Sequence, residues 1–86
     1  MNQMLKNKVA IVTGGATGIG RAICQQLGDD GASVAVVDFN REAGETCVSD
    51  LKGSGVDAFF VSCDVSNEAQ VSAMVSAVVE RYGRLD

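Results

Sequence analysis

Gly14, Gly15, Gly18 and Gly20 place four glycines within seven positions, immediately after the β-branched apolar run Val9-Ala10-Ile11-Val12. Ile19, Ala22, Ile23 and Leu27 follow at helical spacing. The pattern is strand, tight turn, helix, with the glycines at the turn. The chemistry of such a turn is anion binding. Glycine lets the backbone take φ > 0 and come within contact distance of a ligand. The first amides of the following helix have no acceptor in the helix and carry partial positive charge outward. A pyrophosphate fits there without a basic side chain.

A glycine turn could also serve only close packing of a strand on a helix. Two details point past that. The spacing Gly14-x-x-x-Gly18-x-Gly20 lies inside one strand–helix unit, as a dinucleotide fingerprint requires. A second apolar run, Ser33 to Val37, ends in Asp38, near the ~20-residue offset of an acid that binds a ribose diol. The rival phosphate loop, the P-loop, fails. Gly15 and Gly20 have its glycine spacing, but Arg21 and Ala22 stand where a lysine for the terminal phosphate and a hydroxyl for magnesium are needed.

The elements that must position this turn fit in one small domain. At 86 residues the chain is near the size at which a single core only just suffices, and its 47% apolar content with mean hydropathy +0.16 describes a folded chain. A net charge of −4 argues against a nucleic-acid partner, which needs a basic surface. No apolar run approaches the ~20 residues that span a bilayer, and no signal-peptide pattern opens the chain, so a cytoplasmic protein without a membrane partner is expected. Cys24, Cys47 and Cys63 form no C-x-x-C pair and the chain has no histidine. They read as small apolar fillers rather than disulfide or zinc ligands.

Hydrophobic periodicity predicts a strand over 8–13, buried on both faces because it lacks polar alternation. A helix over 18–27 follows, with Ile19, Ala22, Ile23 and Leu27 as its inner stripe, stopped by Gly28-Asp29-Asp30-Gly31. The second strand covers 33–38. Asn40 is an N-cap for a helix over 41–52 with Ala43, Cys47, Val48 and Leu51 inward; Gly44 inside it costs about 1 kcal/mol relative to alanine, making this the least rigid helix. A third strand covers 58–63, its phenylalanines in the core. The last helix covers 67–82, with Val71, Met74, Val75, Val78, Val79 and Tyr82 on one face and Gly83 as its cap. The order β-α-β-α-β-α calls for a parallel α/β sheet with the first two helices on one face and the third on the other, half of a doubly wound fold.

At this point the residues resemble the short-chain dehydrogenase/reductase family from Lys8 onward. Thr13-Gly14-Gly15-Ala16-Thr17-Gly18-Ile19-Gly20 matches the family's TGxxxGIG loop, which is more specific than a bare GxGxxG. Asp38 stands where the family places its cofactor-selecting acid. Cys63-Asp64-Val65 is similar to the "D-V" after strand three, and Tyr82-Gly83-Arg84-Leu85-Asp86 to the approach to strand four. The resemblance implies a Rossmann-type, three-layer α/β/α fold, strand order 3-2-1, present here as the N-terminal part of a dinucleotide-binding domain that stops before its fourth strand. It also implies that Gly14, Thr17, Gly18, Ile19 and Gly20 surround the pyrophosphate and adenosine ribose. Asp38 and Phe39 would hold the ribose and flank the adenine, and Asp64 and Val65 would close over it. On its residues alone, Asp64 could equally be a helix-entry acid that complements the dipole of the last helix.

Asp38 decides the cofactor. A carboxylate accepts from both ribose hydroxyls of NAD and repels the 2′-phosphate of NADP. NAD is therefore expected ahead of NADP, with Arg41, three residues on, read as a solvated first-turn residue rather than a phosphate ligand. The family's catalytic Ser, its Tyr-x-x-x-Lys pair and its Asn-Asn-Ala-Gly loop have no counterpart in the chain. Its single tyrosine, Tyr82, has Asp86 at the lysine position, so no catalytic residue is assigned. The expectation is the cofactor half of an NAD-dependent oxidoreductase that transfers hydride between nicotinamide and an alcohol or carbonyl substrate. A homo-oligomer is expected, and the isolated chain should self-associate or be only marginally stable, because strand one is left as an apolar unpaired edge. The alternatives are a non-catalytic nucleotide-binding or interaction module and, more weakly, a half-domain binding S-adenosylmethionine.

Overall fold

The computed structural model describes residues 5–16, 18–83 and 85. The elements are β1 (Val9–Thr13), α1 (Gly18–Asp29), β2 (Ser33–Asp38), α2 (Arg41–Gly53), β3 (Ala58–Ser62) and α3 (Glu68–Tyr82). All six expected elements are present, and α1 runs two residues past its expected end. Asn40 and Asn67 cap α2 and α3, their side chains accepting from the amides of Ala43 and Gln70 at 3.0 Å each. Gly83, at φ 80°, ends α3 in the left-handed conformation.

The loops after α1 and α2 close by one mechanism. Ala32 N donates to Leu27 O and Gly31 N to Gly28 O, with Gly31 at φ 101°. Val56 N donates to Leu51 O and Gly55 N to Lys52 O, with Gly55 at φ 88°. Both are Schellman closures, and each sets an apolar residue just past the helix against the apolar residue that began its last turn. The chain thereby re-enters the sheet after three intervening residues in the first case and four in the second.

The sheet is parallel, with Val12 level with Val36 and Thr13 with Val37 across β1 and β2, and Val36 level with Phe60 across β2 and β3. It runs β1-β2-β3; the expected 3-2-1 names the same neighbours from the opposite edge. β2 is the central strand, and Val34, Ala35, Val36 and Val37 are all fully buried. Their alternation divides the core. Val34 and Val36 pack with Cys24, Cys47, Val48 and Leu51, which puts α1 and α2 on one face. Ala35 and Val37 pack with Met74 and Val78 of α3 on the other. β1 is not buried on both faces along its length: it is an edge of this sheet, and Ala10, Ile11 and Thr13 keep exposure.

The inner face of α1 is also not the isoleucine stripe. Ile19 is 82% and Ile23 45% exposed, and the helix meets the core through Cys24, with Leu27 packed beside it. Gly20, Cys24 and Gly28, four residues apart, form a stripe of small residues that lets the helix lie close. A Cβ on Gly20 would collide with the Gly14 carbonyl, and one on Gly28 would sit 2.6 Å from both Val56 methyls. Gly44 of α2 has the same role, because the Phe60 ring occupies the place of its missing side chain. The helix-propensity cost of that glycine is offset by packing.

Helix propensity alone predicts that alanine at any helical glycine gains up to about 1 kcal/mol. Gly53→Ala, into open space, should gain a few tenths of that, whereas Gly20→Ala should lose about 1–3 kcal/mol, because the obstacle is backbone. Urea midpoints of the two variants should move in opposite directions; a gain for both would contradict the packing described for α1.

Candidate functional site

The parallel strands end together, and the glycine turn lies just beyond β1. Gly14 and Gly18 take φ of 65° and 56°, conformations that a side chain would strain, and neither has an atom within 4 Å of where a Cβ would stand. The close passage of Gly20 over the Gly14 carbonyl brings the first turn of α1 onto the end of β1. The amides of Gly18, Ile19 and Gly20 open that helix and have no helical acceptor. Thr17 lies outside the described residues, as do Arg84 and Asp86.

The backbone between Gly14 and Thr17 is held from below and from the side. Gly15 N donates to Val37 O at 3.3 Å, extending the β1–β2 ladder into the turn. Gly15 O accepts from two buried thiols, Cys24 Sγ at 3.7 Å and Cys47 Sγ at 3.5 Å. Ala16 N donates to Asp38 Oδ2 at 3.3 Å. The other carboxylate oxygen, Oδ1, accepts from Asn40 N at 3.1 Å. Asp38 therefore links the glycine turn to the loop that follows β2. A carboxylate offers about four acceptor positions, so two bonds leave capacity for two more.

Beside this carboxylate lies a groove of about 290 Å³ lined by Gly14, Val37, Asp38, Phe39, Cys63, Asp64 and Val65. It gathers five of the residues singled out from the sequence: Gly14, Asp38, Phe39, Asp64 and Val65. Gly18, Ile19 and Gly20 stand outside the lining, at the start of α1. Phe39 is 75% and Val65 59% exposed, so two apolar side chains flank the groove with little cover. Asp64 is not the cap of α3, since Asn67 holds that position. Its Oδ1 instead accepts from Ser66 Oγ at 2.6 Å and Ser66 N at 3.0 Å, and these bonds, the hydroxyl's first, hold its carboxyl below the usual range. Gln70 fixes the Asp64 backbone by accepting from its amide at 2.9 Å.

The nearby cations are engaged elsewhere. Arg21 lines a second pocket, of about 350 Å³, beyond Ala16 and Asn40, and is paired with Asp50. Arg41 pairs with Glu45 at 3.4 Å and lies 5.7 Å from the centre of the Phe60 ring. Tyr82 packs edge-to-face on Phe59 at 5.6 Å, near the start of β3 and away from the groove at the strand ends. Burial pushes its phenol above the ordinary range, and its hydroxyl is enclosed.

The supports of Asp38 and Gly15 escape a reading of the sequence. The Ala16 and Asn40 amides carry no side-chain signature. Cys24 was hidden by the louder isoleucine pattern, though it stands four residues after Gly20. Cys24 and Cys47 are free and fully buried, as fillers would be, but they also donate.

Comparison with known proteins places the chain. A family model described as short chain dehydrogenase matches residues 8–86. An uncharacterized oxidoreductase of Thermotoga maritima is 43% identical over 83 residues, covering 96% of this chain and 32% of that protein. The 15-hydroxyprostaglandin dehydrogenase (NAD(+)) of Macaca fascicularis is 44% identical over 84 residues, covering 95% of this chain and 32% of that protein. Among solved structures, a short chain dehydrogenase/reductase from Burkholderia phymatum in complex with NAD superposes with a TM-score of 0.92 at 33% identity, covering 95% of this chain and 29% of that one. The chain thus spans about a third of the length of the relatives it matches. With its glycine turn, Asp38 and the groove between them, the chain belongs to the short chain dehydrogenase family.

Proposed function

We propose that this chain is the cofactor-binding half of an NAD-dependent oxidoreductase. The observation that carries the reading is the placement of Asp38. Its carboxylate forms a wall of the groove, beside the glycine turn, with acceptor capacity left after its two backbone bonds. A dinucleotide fits the arrangement as follows. The open amides of Gly18, Ile19 and Gly20 would receive the pyrophosphate, and Gly14 leaves room for it to approach. Asp38 would accept from the ribose hydroxyls. Phe39 and Val65 would take the adenine between them, and Asp64, oriented by Ser66, would close that end. Thr17 belongs to the same proposed set by its position in the turn.

When bound, nicotinamide supplies hydride transfer to or from an alcohol or carbonyl carbon. This half of the protein binds, orients and shields the cofactor, and the proton-exchanging group that such a reaction needs lies in the rest of the protein. Tyr82, packed on Phe59 near the start of β3, is not among the residues that line the groove. The names of relatives support the cofactor: one is an NAD(+) dehydrogenase and another was solved in complex with NAD. NAD is favoured over NADP because a 2′-phosphate would meet the Asp38 carboxylate, while Arg21 and Arg41 are paired with Asp50 and Glu45. Three free buried thiols support a reducing, cytoplasmic setting.

Calorimetric titration should show NAD binding more tightly than NADP, with S-adenosylmethionine not binding. Asp38→Ala should weaken NAD about ten- to a hundredfold, the scale of one charged hydrogen bond (~1.5–3 kcal/mol), and should change NADP much less. Equal affinity of the wild type for both dinucleotides, or no response to the substitution, would sink the assignment.

In this chain β1 is an edge of the sheet with partly exposed apolar residues, which supports self-association or marginal stability of the isolated chain. Sedimentation of the 86-residue chain should show concentration-dependent association, or melting should show marginal stability; a monomer at every concentration with high thermal stability would refute it.

A further inference from the structure

The peptide group joining Gly15 to Ala16 is trans, like every peptide of the described residues, so its carbonyl and its amide point in opposite directions. The carbonyl is aimed down into the core, onto the thiols of Cys24 from α1 and Cys47 from α2. The amide is aimed the other way, at Asp38 Oδ2. One rigid plane therefore has donors beneath it and an acceptor above it. If it rotates, both sets of bonds break together.

We propose that Cys24 and Cys47 are positioning residues for the cofactor site: by holding the Gly15 carbonyl oxygen under the turn, they fix the Ala16 amide on Asp38 and so aim the carboxylate that selects the cofactor. Among the described residues no backbone amide donates to that oxygen, so the two thiols satisfy it. The two cysteines lie in different helices, 9 and 32 residues from Gly15, so the pair ties the turn to both α1 and α2. Both thiols stay protonated, as donors must. Burial, with Cys47 alongside, pushes Cys24 up to about 11, and burial raises Cys47 as well.

The aiming of Asp38 toward a ribose rests on the dinucleotide reading above; the holding of the peptide does not. Alanine and serine variants at each cysteine separate the hydrogen bond from packing, since both residues are smaller than cysteine and only serine keeps a donor. The first readout is amide hydrogen exchange by NMR, comparing Ala16 with Val36 of the central strand. In Cys47→Ala, Ala16 should exchange about tenfold faster relative to Val36, the loss of one hydrogen bond, and Cys47→Ser should recover part of the protection. Cys24→Ala and Cys24→Ser should repeat the pattern and decide the matter if Cys47→Ala does not fold.

The second readout is affinity for NAD and NADP. The alanine variants should lose about three- to tenfold for NAD and less than twofold for NADP, narrowing the preference as Asp38 loosens. Unchanged Ala16 exchange, or serine behaving as alanine does, would overturn the positioning role. Faster exchange with an unchanged NAD/NADP ratio would overturn its link to cofactor choice. A wild type that binds neither dinucleotide would overturn the dinucleotide reading and that link with it, while the exchange data still decide whether the thiols hold the peptide.

Discussion

A single carboxylate joins the two parts of the chain on which the site depends. Asp38 ends β2, and its bond to the Ala16 amide ties that strand's tip to the turn that leaves β1. Left free, a glycine turn would sample many conformations; this tie, with the Gly15 N bond to Val37 O and the two thiols on Gly15 O, holds it to one. An unrestrained loop must lose that freedom when it binds, and the loss is subtracted from affinity. The tie orders the turn before any ligand arrives. It also uses up only part of what the carboxylate can accept, so the same group that shapes the site stays able to take part in it.

Around that tie, the fold brings backbone close to backbone by leaving side chains out. Gly20 lets α1 ride on the Gly14 carbonyl, Gly28 admits the Val56 methyls, and Gly44 makes room for the Phe60 ring. The layers are thin at these points and thick where β2 fills the centre with valines. The outer strand β3 is guarded differently. Arg41 lies over Phe60 on one face, and Arg81 lies 4.6 Å over Phe59 on the other. Long cationic side chains laid over aromatic rings keep an edge soluble while they bury its apolar surface.

Much of this was legible in the residues. The alternation of apolar runs and helical stripes gives the element order, and Asn40, Asn67 and Gly83 mark helix ends within a residue. Asp38 is found from the strand it ends. The facing of α1 was not legible. Periodicity weighs side chains by hydrophobicity, so it picks Ile19 and Ile23, whereas the real contact is made by residues chosen for smallness. The burial of β1 was overread for a related reason. A continuous apolar run says that a strand can be covered on both faces, but not where it lies in the sheet. The supports of Gly15 and Asp38 were invisible because backbone amides have no letter of their own. Such groups are found only once the turn is built.

Arg21 and Arg41 bear on how the proposed preference for NAD would arise from groups already paired. A loop that accepts a 2′-phosphate needs a cation free to reach it, and among the described residues Arg21 and Arg41 stand in its neighbourhood. Arg21 stands in the first turn of α1, beside Ala16 and Asn40, which is the right neighbourhood, but its guanidinium reaches across to Asp50 of α2. Arg41 follows the second strand closely enough in sequence, yet its helix turns it along its own axis to Glu45 and down over Phe60. Moving either one to a phosphate beside Asp38 would break an ion pair and bring the phosphate against a carboxylate that two amides hold in place. Rejection of the wrong ligand would then come less from a repulsive charge alone than from a charge that cannot turn away.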